Sequence, residues 1–241
     1  MFGAFKIILF SILCALLASC SEQCNIAGSS TLGSLDGRML YLRVGANGRL
    51  ASNVDSCEVI HGRFKFFSNV DSVMVAQVYM GNDMIMPVVL ENGNLSVVLD
   101  HVERRVSGGP LNDKLYKFLQ KKERLENQQW ELDRRCMRMM HEGHSPEEIQ
   151  RIIGPKADKL SKATEDLETR FIIDNFDNPL ATGCFMWLFS QYPMPIVTSQ
   201  IERIIKAAPA HFLRDPFVFN YMHRARLNMQ MMNMDARLKT E

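Results

Sequence analysis

Gly108-Gly109-Pro110-Leu111-Asn112-Asp113 separates two kinds of periodicity, and the fold class follows from what lies on either side. Two glycines and a proline end an extended segment and open a helix, because proline suits the first helical position and Asn112 or Asp113 can cap the turn. Upstream, from Ile26 to Val106, apolar residues alternate in twos between turn residues, as strands with one buried face require. Downstream, Leu115, Phe118, Leu119, Leu125, Leu132 and Met139 recur at helical spacing among many charges until the breakers Gly143 and Pro146. The chain reads as an α+β protein: an antiparallel β-sandwich or barrel over 20–107, then an α-helical domain over 108–241.

Within the first half, strands are expected at Met39–Val44 and Val73–Met80. Val54–Ile60 and Arg63–Phe67 are expected to form a hairpin about His61-Gly62. A second hairpin is expected where Ile85–Leu90 and Leu95–Leu99 flank Glu91-Asn92-Gly93-Asn94, with His101–Val106 continuing the meander. In the second half, Ser145-Pro146-Glu147-Glu148 carries the signals of a helix start, and Gly154-Pro155 is expected to end that short helix. Further helices are expected at Lys156–Phe176, at Leu180–Gln191, which is apolar nearly all round, and at Val197–Ala207. A last one is opened by Asp215-Pro216 and runs toward Lys239.

The first residues carry a different message. Lys6 precedes the apolar run Ile7–Leu17, and Leu17-Ala18-Ser19-Cys20 closes it with small residues before a cysteine. The segment is too short to span a bilayer and has the plan of a signal peptide over 1–19, resembling a bacterial lipobox. That resemblance implies that Cys20 becomes the first residue and carries acyl chains such as palmitate as a membrane anchor. Ser21 after it, rather than Asp, favours the outer membrane, and the expected location is the periplasmic side of that membrane. An ordinary secreted protein cut nearby is the alternative.

Charge and cysteine usage narrow the function classes. With Lys6 removed, 27 basic residues face 27 acidic ones, interleaved at nearly every turn, so no basic face for nucleic acid is expected. Cys24, Cys57, Cys136 and Cys184 remain after processing, an even number that permits disulfides without requiring them. None forms a Cys-x-x-Cys pair. His141-Glu142-Gly143-His144 brings two imidazoles together on a turn without a third ligand, and reads as a solvated loop rather than a metal site. Met222, His223, Met229, Met231, Met232 and Met234 are soft groups able to hold cuprous or silver ions, but methionines more often fill cores and adaptable interfaces. Asp55 and Ser56 lack a nucleophile elbow, and Asp166, Glu168, Asp174 and Asp177 form no recognisable acid and base pair. No catalytic residue, cofactor or metal ligand is assigned.

Val54-Asp55-Ser56, then Val59, Gly62, Phe64 and Phe66, then Val89-Leu90-Glu91-Asn92-Gly93, and finally Gly108-Gly109-Pro110-Leu111-Asn112-Asp113, resemble the successive landmarks of one family. It is the domain of unknown function found at the N-terminus of Gram-negative thiol:disulfide interchange lipoproteins. Phe171–Trp187 with its Asn178-Pro179 break resembles the helical segment that follows there. In that family a thioredoxin-like domain usually comes next, and its Trp-Cys-x-x-Cys pair has no counterpart in this sequence, so the family's catalytic residues carry over to no position. The expectation is a noncatalytic envelope lipoprotein, anchored through Cys20, that binds a protein or envelope ligand. The alternative is an accessory to, or degenerate relative of, a thiol:disulfide oxidoreductase.

Overall fold

The computed structural model describes residues 23–46, 49–69, 72–189 and 192–238. Cys20 and the signal segment lie outside them, as do Gln191 and the residues after Leu238. Eight strands, β1 (Gln23–Ser30), β2 (Met39–Ala46), β3 (Arg49–Glu58), β4 (Arg63–Asn69), β5 (Met74–Met80), β6 (Asp83–Leu90), β7 (Gly93–Leu99) and β8 (Arg104–Ser107), precede six helices. The helices are α1 (Pro110–His141), α2 (Pro146–Ile173), α3 (Pro179–Phe189), α4 (Ser199–Ala207), α5 (Ala210–Arg214) and α6 (Pro216–Leu238). The protein is α+β, as the change of period at Gly108 predicts.

The strands form two four-stranded sheets in the orders β4-β1-β7-β8 and β3-β2-β5-β6. Alternation does the packing: Ile26, Phe64, Phe66, Leu95 and Val97 of the first sheet meet Leu40, Leu42, Ala76, Val78 and Val88 of the second in one buried core. Three features depart from the expected meander. First, β1 pairs with β7 in parallel, Ile26 opposite Leu95, a pairing between strands far apart in sequence. Second, His61 and Gly62 do make a tight turn, with φ of 49° and 68°, and Ile60 and Arg63 exchange backbone hydrogen bonds across it. The flanking strands then part, β3 pairing with β2 in one sheet and β4 with β1 in the other, and Phe64 and Phe66 of β4 enter the core that the two sheets share.

Third, Glu91-Asn92-Gly93 does not close a hairpin between β6 and β7. Those strands belong to different sheets, and the turn carries the chain from one to the other. The hairpin partner of β6 is β5, through Gly81, with Met80 opposite Asp83.

Helix α2 also differs from expectation. Gly154-Pro155 does not end it; Pro155 sits inside the helix. Proline there removes one hydrogen bond and costs about 3 kcal/mol, but Ile149 and Ile153 before it and Ala157 and Leu160 after it all pack against Leu132, Cys136 and Met139 of α1. Apolar burial on both sides of the defect keeps the helix continuous.

The outer face of the second sheet is shared. At one end Val89 and Val75 join the helical core of Phe118, Phe171, Leu180, Phe185 and Ile204, and Gly183 of α3 rests on Val75. Helix α3 is buried, as its composition predicts: Leu180, Ala181 and Phe185 are fully enclosed.

Gly93 has φ of +118°, a conformation that a β-branched residue adopts at a cost of about 1–3 kcal/mol. Gly93→Val is expected to lower the unfolding free energy by that amount in chemical denaturation. An unchanged midpoint would mean that this inter-sheet turn relaxes without strain.

Candidate functional site

The landmarks at 89–93 and 108–113 meet. Glu91 leaves the end of β6 and turns its carboxylate under the first turn of α1, where it accepts hydrogen bonds from the amides of Leu111 (3.1 Å) and Asn112 (2.9 Å). It therefore does the work of an N-cap side chain for a helix whose own N-cap, Gly109, has none. Asn112, expected as a possible cap, sits inside the first turn instead. Its Nδ2 donates to Glu91 (2.8 Å) and to the carbonyl of Val89 (2.8 Å), and its Oδ1 accepts from the Val89 amide (2.9 Å).

Both side chains are buried and every hydrogen-bonding atom of the Asn112 amide group is used. Gly109 is needed here, because a Cβ at that position would overlap the Glu91 carboxylate. One turn along α1 the Tyr116 hydroxyl donates to the Pro87 carbonyl (2.8 Å), and burial raises the Tyr116 pKa. Helix α1 thus closes the outer edge of β6 with side chains that take the place of a neighbouring strand.

A second polar group lies in the helical half. Lys122 of α1 donates to Glu168 of α2 (2.7 Å) and pairs with Glu126 (2.9 Å), while Gln200 of α4 donates to the other oxygen of Glu168 (3.2 Å). Burial alone would lower the Lys122 pKa, but hydrogen bonds to Glu168 and Glu126 outweigh it and raise the pKa. Lys122 also lies 5.5 Å from the centre of the Trp187 ring. The arrangement ties α1, α2, α3 and α4 together. Glu168 is therefore a partner in a buried ion pair. Asp166 is held by Arg203 (2.8 Å), Asp174 ends α2, and Asp177 lies 3.9 Å from His211.

The remaining sequence candidates are dispersed. Cys24, Cys57, Cys136 and Cys184 stand on β1, β3, α1 and α3, and all four are free thiols. Burial pushes the Cys184 thiol up to about 12, and burial likewise raises the thiols of Cys24 and Cys57. Asp55 is used structurally, accepting from the amides of Ser56 and Phe67 (2.7 Å each) and so linking β3 to β4. His141 ends α1, while His144 binds Glu148 through Nδ1 (3.0 Å) and approaches Glu142 through Nε2 (3.5 Å).

On α6, Met222 is buried, Met229, Met231 and Met232 are exposed, and His223 stacks on Phe219; the Met234 side chain lies outside the described residues. Helical spacing sets Met231 away from Met229 and Met232, which share a face one turn apart. Among the described residues no group of three or more histidine, cysteine or acidic side chains could hold a metal ion, and no helix is long and apolar enough to cross a membrane.

One constellation was missed in the sequence. On the outer face of the second sheet the Arg43 guanidinium lies over the rings of Tyr41 (4.9 Å) and Tyr79 (4.8 Å), while its Nε donates to Asn53 (3.1 Å). The signal was the alternation Tyr41, Arg43 beside Gln77, Tyr79, which strand pairing turns into a cross-strand cluster.

Residues 24–115 match the family model described as Domain of unknown function (DUF4369). The matched segment takes in the whole sandwich from Cys24 and ends just after Asn112, so it contains both halves of the Glu91–Asn112 junction. No curated protein matches the chain.

Two measurements test this site. Asn112→Leu leaves the buried Val89 amide without an acceptor and should cost about 1–3 kcal/mol, read from denaturant unfolding; a loss below a few tenths would show that the junction is not structural. The hydrogen bond from His144 to Glu148 raises the imidazole pKa above its usual value of about 6.5. The stabilising effect is present in full below that value and is lost as pH rises through the higher folded value. NMR titration should place His144 above 6.5, with Glu148→Gln bringing it down, and an unshifted His144 would contradict the pairing.

Proposed function

We propose that this protein is a noncatalytic lipoprotein of the cell envelope, anchored through acyl chains on Cys20 and acting as a binding or accessory module. The observation that carries this reading is the state of the thiols. A disulfide exchanger needs an accessible thiolate and a resolving partner, whereas Cys24 and Cys184 are buried with raised pKa and stand on separate elements. Carboxylates that could serve acid and base chemistry are likewise engaged in structure: Asp55 on β4, Glu91 on α1 and Glu168 on Lys122.

The sequence supports the anchor. Lys6, Ile7–Leu17 and Leu17-Ala18-Ser19-Cys20 have the plan of a lipoprotein signal, and β1 begins at Gln23, three residues beyond Cys20. Such a short tether would hold the sandwich close to the bilayer, on the periplasmic side of the outer membrane. The landmark motifs extend the reading toward the N-terminal domains of thiol:disulfide interchange lipoproteins. In that second reading the chain assists a separate thioredoxin-like enzyme, with the partly buried Cys57 as its more accessible thiol on the β side.

Cys20→Ser should abolish incorporation of labelled fatty acid and release the protein from the membrane fraction or leave the precursor uncut; equal labelling of parent and variant would reject the anchor. The purified full chain should not turn over insulin disulfides. Turnover above buffer that disappears when Cys24, Cys57, Cys136 and Cys184 are replaced together would instead establish the redox reading.

A further inference from the structure

The outer face of the second sheet is covered by helices at only one end. There, Val75 and Val89 enter the helical core, and Met186 of α3 approaches Gly45. The other end carries Met39, Tyr41 and Arg43 of β2 beside Gln77 and Tyr79 of β5, with a shallow depression lined by Arg38, Met39 and Tyr41. We propose that this face binds a carboxylate-bearing oligosaccharide, with Arg43 holding the carboxylate and the two tyrosines flanking the sugar. The proposal deepens the binding-module reading and is independent of the anchor.

Arg43 is already fixed. Its guanidinium is flanked by Tyr41 and Tyr79, and Asn53 takes its Nε, while the Tyr79 hydroxyl is itself bonded to Gln77 (2.6 Å). Among the described residues, no acceptor meets its terminal nitrogens and no carboxylate pairs with it. A cation whose side-chain entropy has been removed before binding, with two donors in a planar fork, is complementary to a carboxylate. Arg43 matches one carboxylate of a uronate chain, and Arg38, which lines the depression, supplies a second positive charge along the same chain.

The position on the sheet selects a sugar over a peptide. Both β2 and β5 are interior strands, paired on either side, so their backbones offer no free edge for the main-chain pairing that an extended acidic peptide uses. What the face offers is aromatic surface and planar amide and guanidinium groups, which suit the C–H faces and hydroxyls of a pyranose. From Arg38 to Arg43 the surface extends about 16 Å at roughly 3.3 Å per residue, room for several sugar units in a row.

Calorimetric titration of the full-length protein in detergent tests this with trigalacturonate, neutral maltotriose, glucose 6-phosphate and poly-L-glutamate as probes. Saturable binding of trigalacturonate is expected, weakened at least tenfold by Arg43→Ala. Arg43→Lys, which retains the aliphatic stem and charge but not the planar fork, should keep the parent's unfolding midpoint and still bind at least fivefold more weakly. Absence of trigalacturonate binding overturns the proposal, as does parent-like affinity in Arg43→Lys. Equal or tighter binding of maltotriose, of glucose 6-phosphate or of poly-L-glutamate overturns it too, in favour of a neutral sugar, a phosphate or an acidic peptide respectively. Fatty-acid labelling at Cys20 and the insulin assay report on the envelope and noncatalytic readings separately, so failure here leaves those readings standing.

Discussion

A buried carboxylate holds the two halves of this molecule in register. Glu91 stands at the end of β6 and accepts from the amides of Leu111 and Asn112, while the Asn112 side chain donates to the Val89 carbonyl and accepts from the Val89 amide. A strand end and a helix start each leave polar backbone groups that need partners when buried. Here each element supplies the partner for the other, so neither is satisfied alone. The partial positive charge of the helix N-terminus also favours the carboxylate where water is excluded. Gly109 is the steric condition for this approach, and Pro110, whose missing amide needs no acceptor at that position, is its complement.

From that junction the direction of α1 follows. Asn112 lies against Val89 and Tyr116 against Pro87, so the helix starts along β6 and covers its edge. Phe118 then stacks on Phe171 of α2 at 4.0 Å, and Lys122 meets Glu168 one turn later. The outer face of the second sheet is consequently divided, its Val75 and Val89 end closed by the helical core and its Tyr41 and Tyr79 end half-buried under its own side chains. The covered end anchors the helices and the open end offers the only concentrated pairing of aromatic rings with an unpaired cation that the described sheet surfaces carry.

Much of this was legible in the sequence because it is written in short-range patterns. The change of period at Gly108, the Ser145 cap, whose hydroxyl accepts from Glu148, and the Asp215-Pro216 start, where Asp215 accepts from Phe217 and Val218, are all local. Strand partners are not. Glu91-Asn92-Gly93 has the composition of a hairpin turn, but the choice between returning to the same sheet and crossing to the other is made by long-range contacts, including the parallel pairing of β1 with β7. Gly81-Asn82 carried the true hairpin signal beside it. Pro155 misled for the same reason, since a local helix breaker lost to burial of Ile149, Ile153 and Leu160. The landmark residues themselves gave no hint that a glutamate from one motif would cap the helix begun by the other, because capping by a residue twenty positions away has no sequence spacing to recognise.

A junction that holds the two halves in register must belong to the cooperative core. Helix N-termini ordinarily fray, so their first amides exchange hydrogen through local opening, whereas amides locked into the core exchange only when the whole structure unfolds. Native-state hydrogen exchange of the full chain should therefore place the amides of Val89, Leu111 and Asn112 in the same slow class as those of Leu95 and Val97 in β7. Exchange of Leu111 and Asn112 at the rate of a frayed helix end, with β7 still protected, would contradict it.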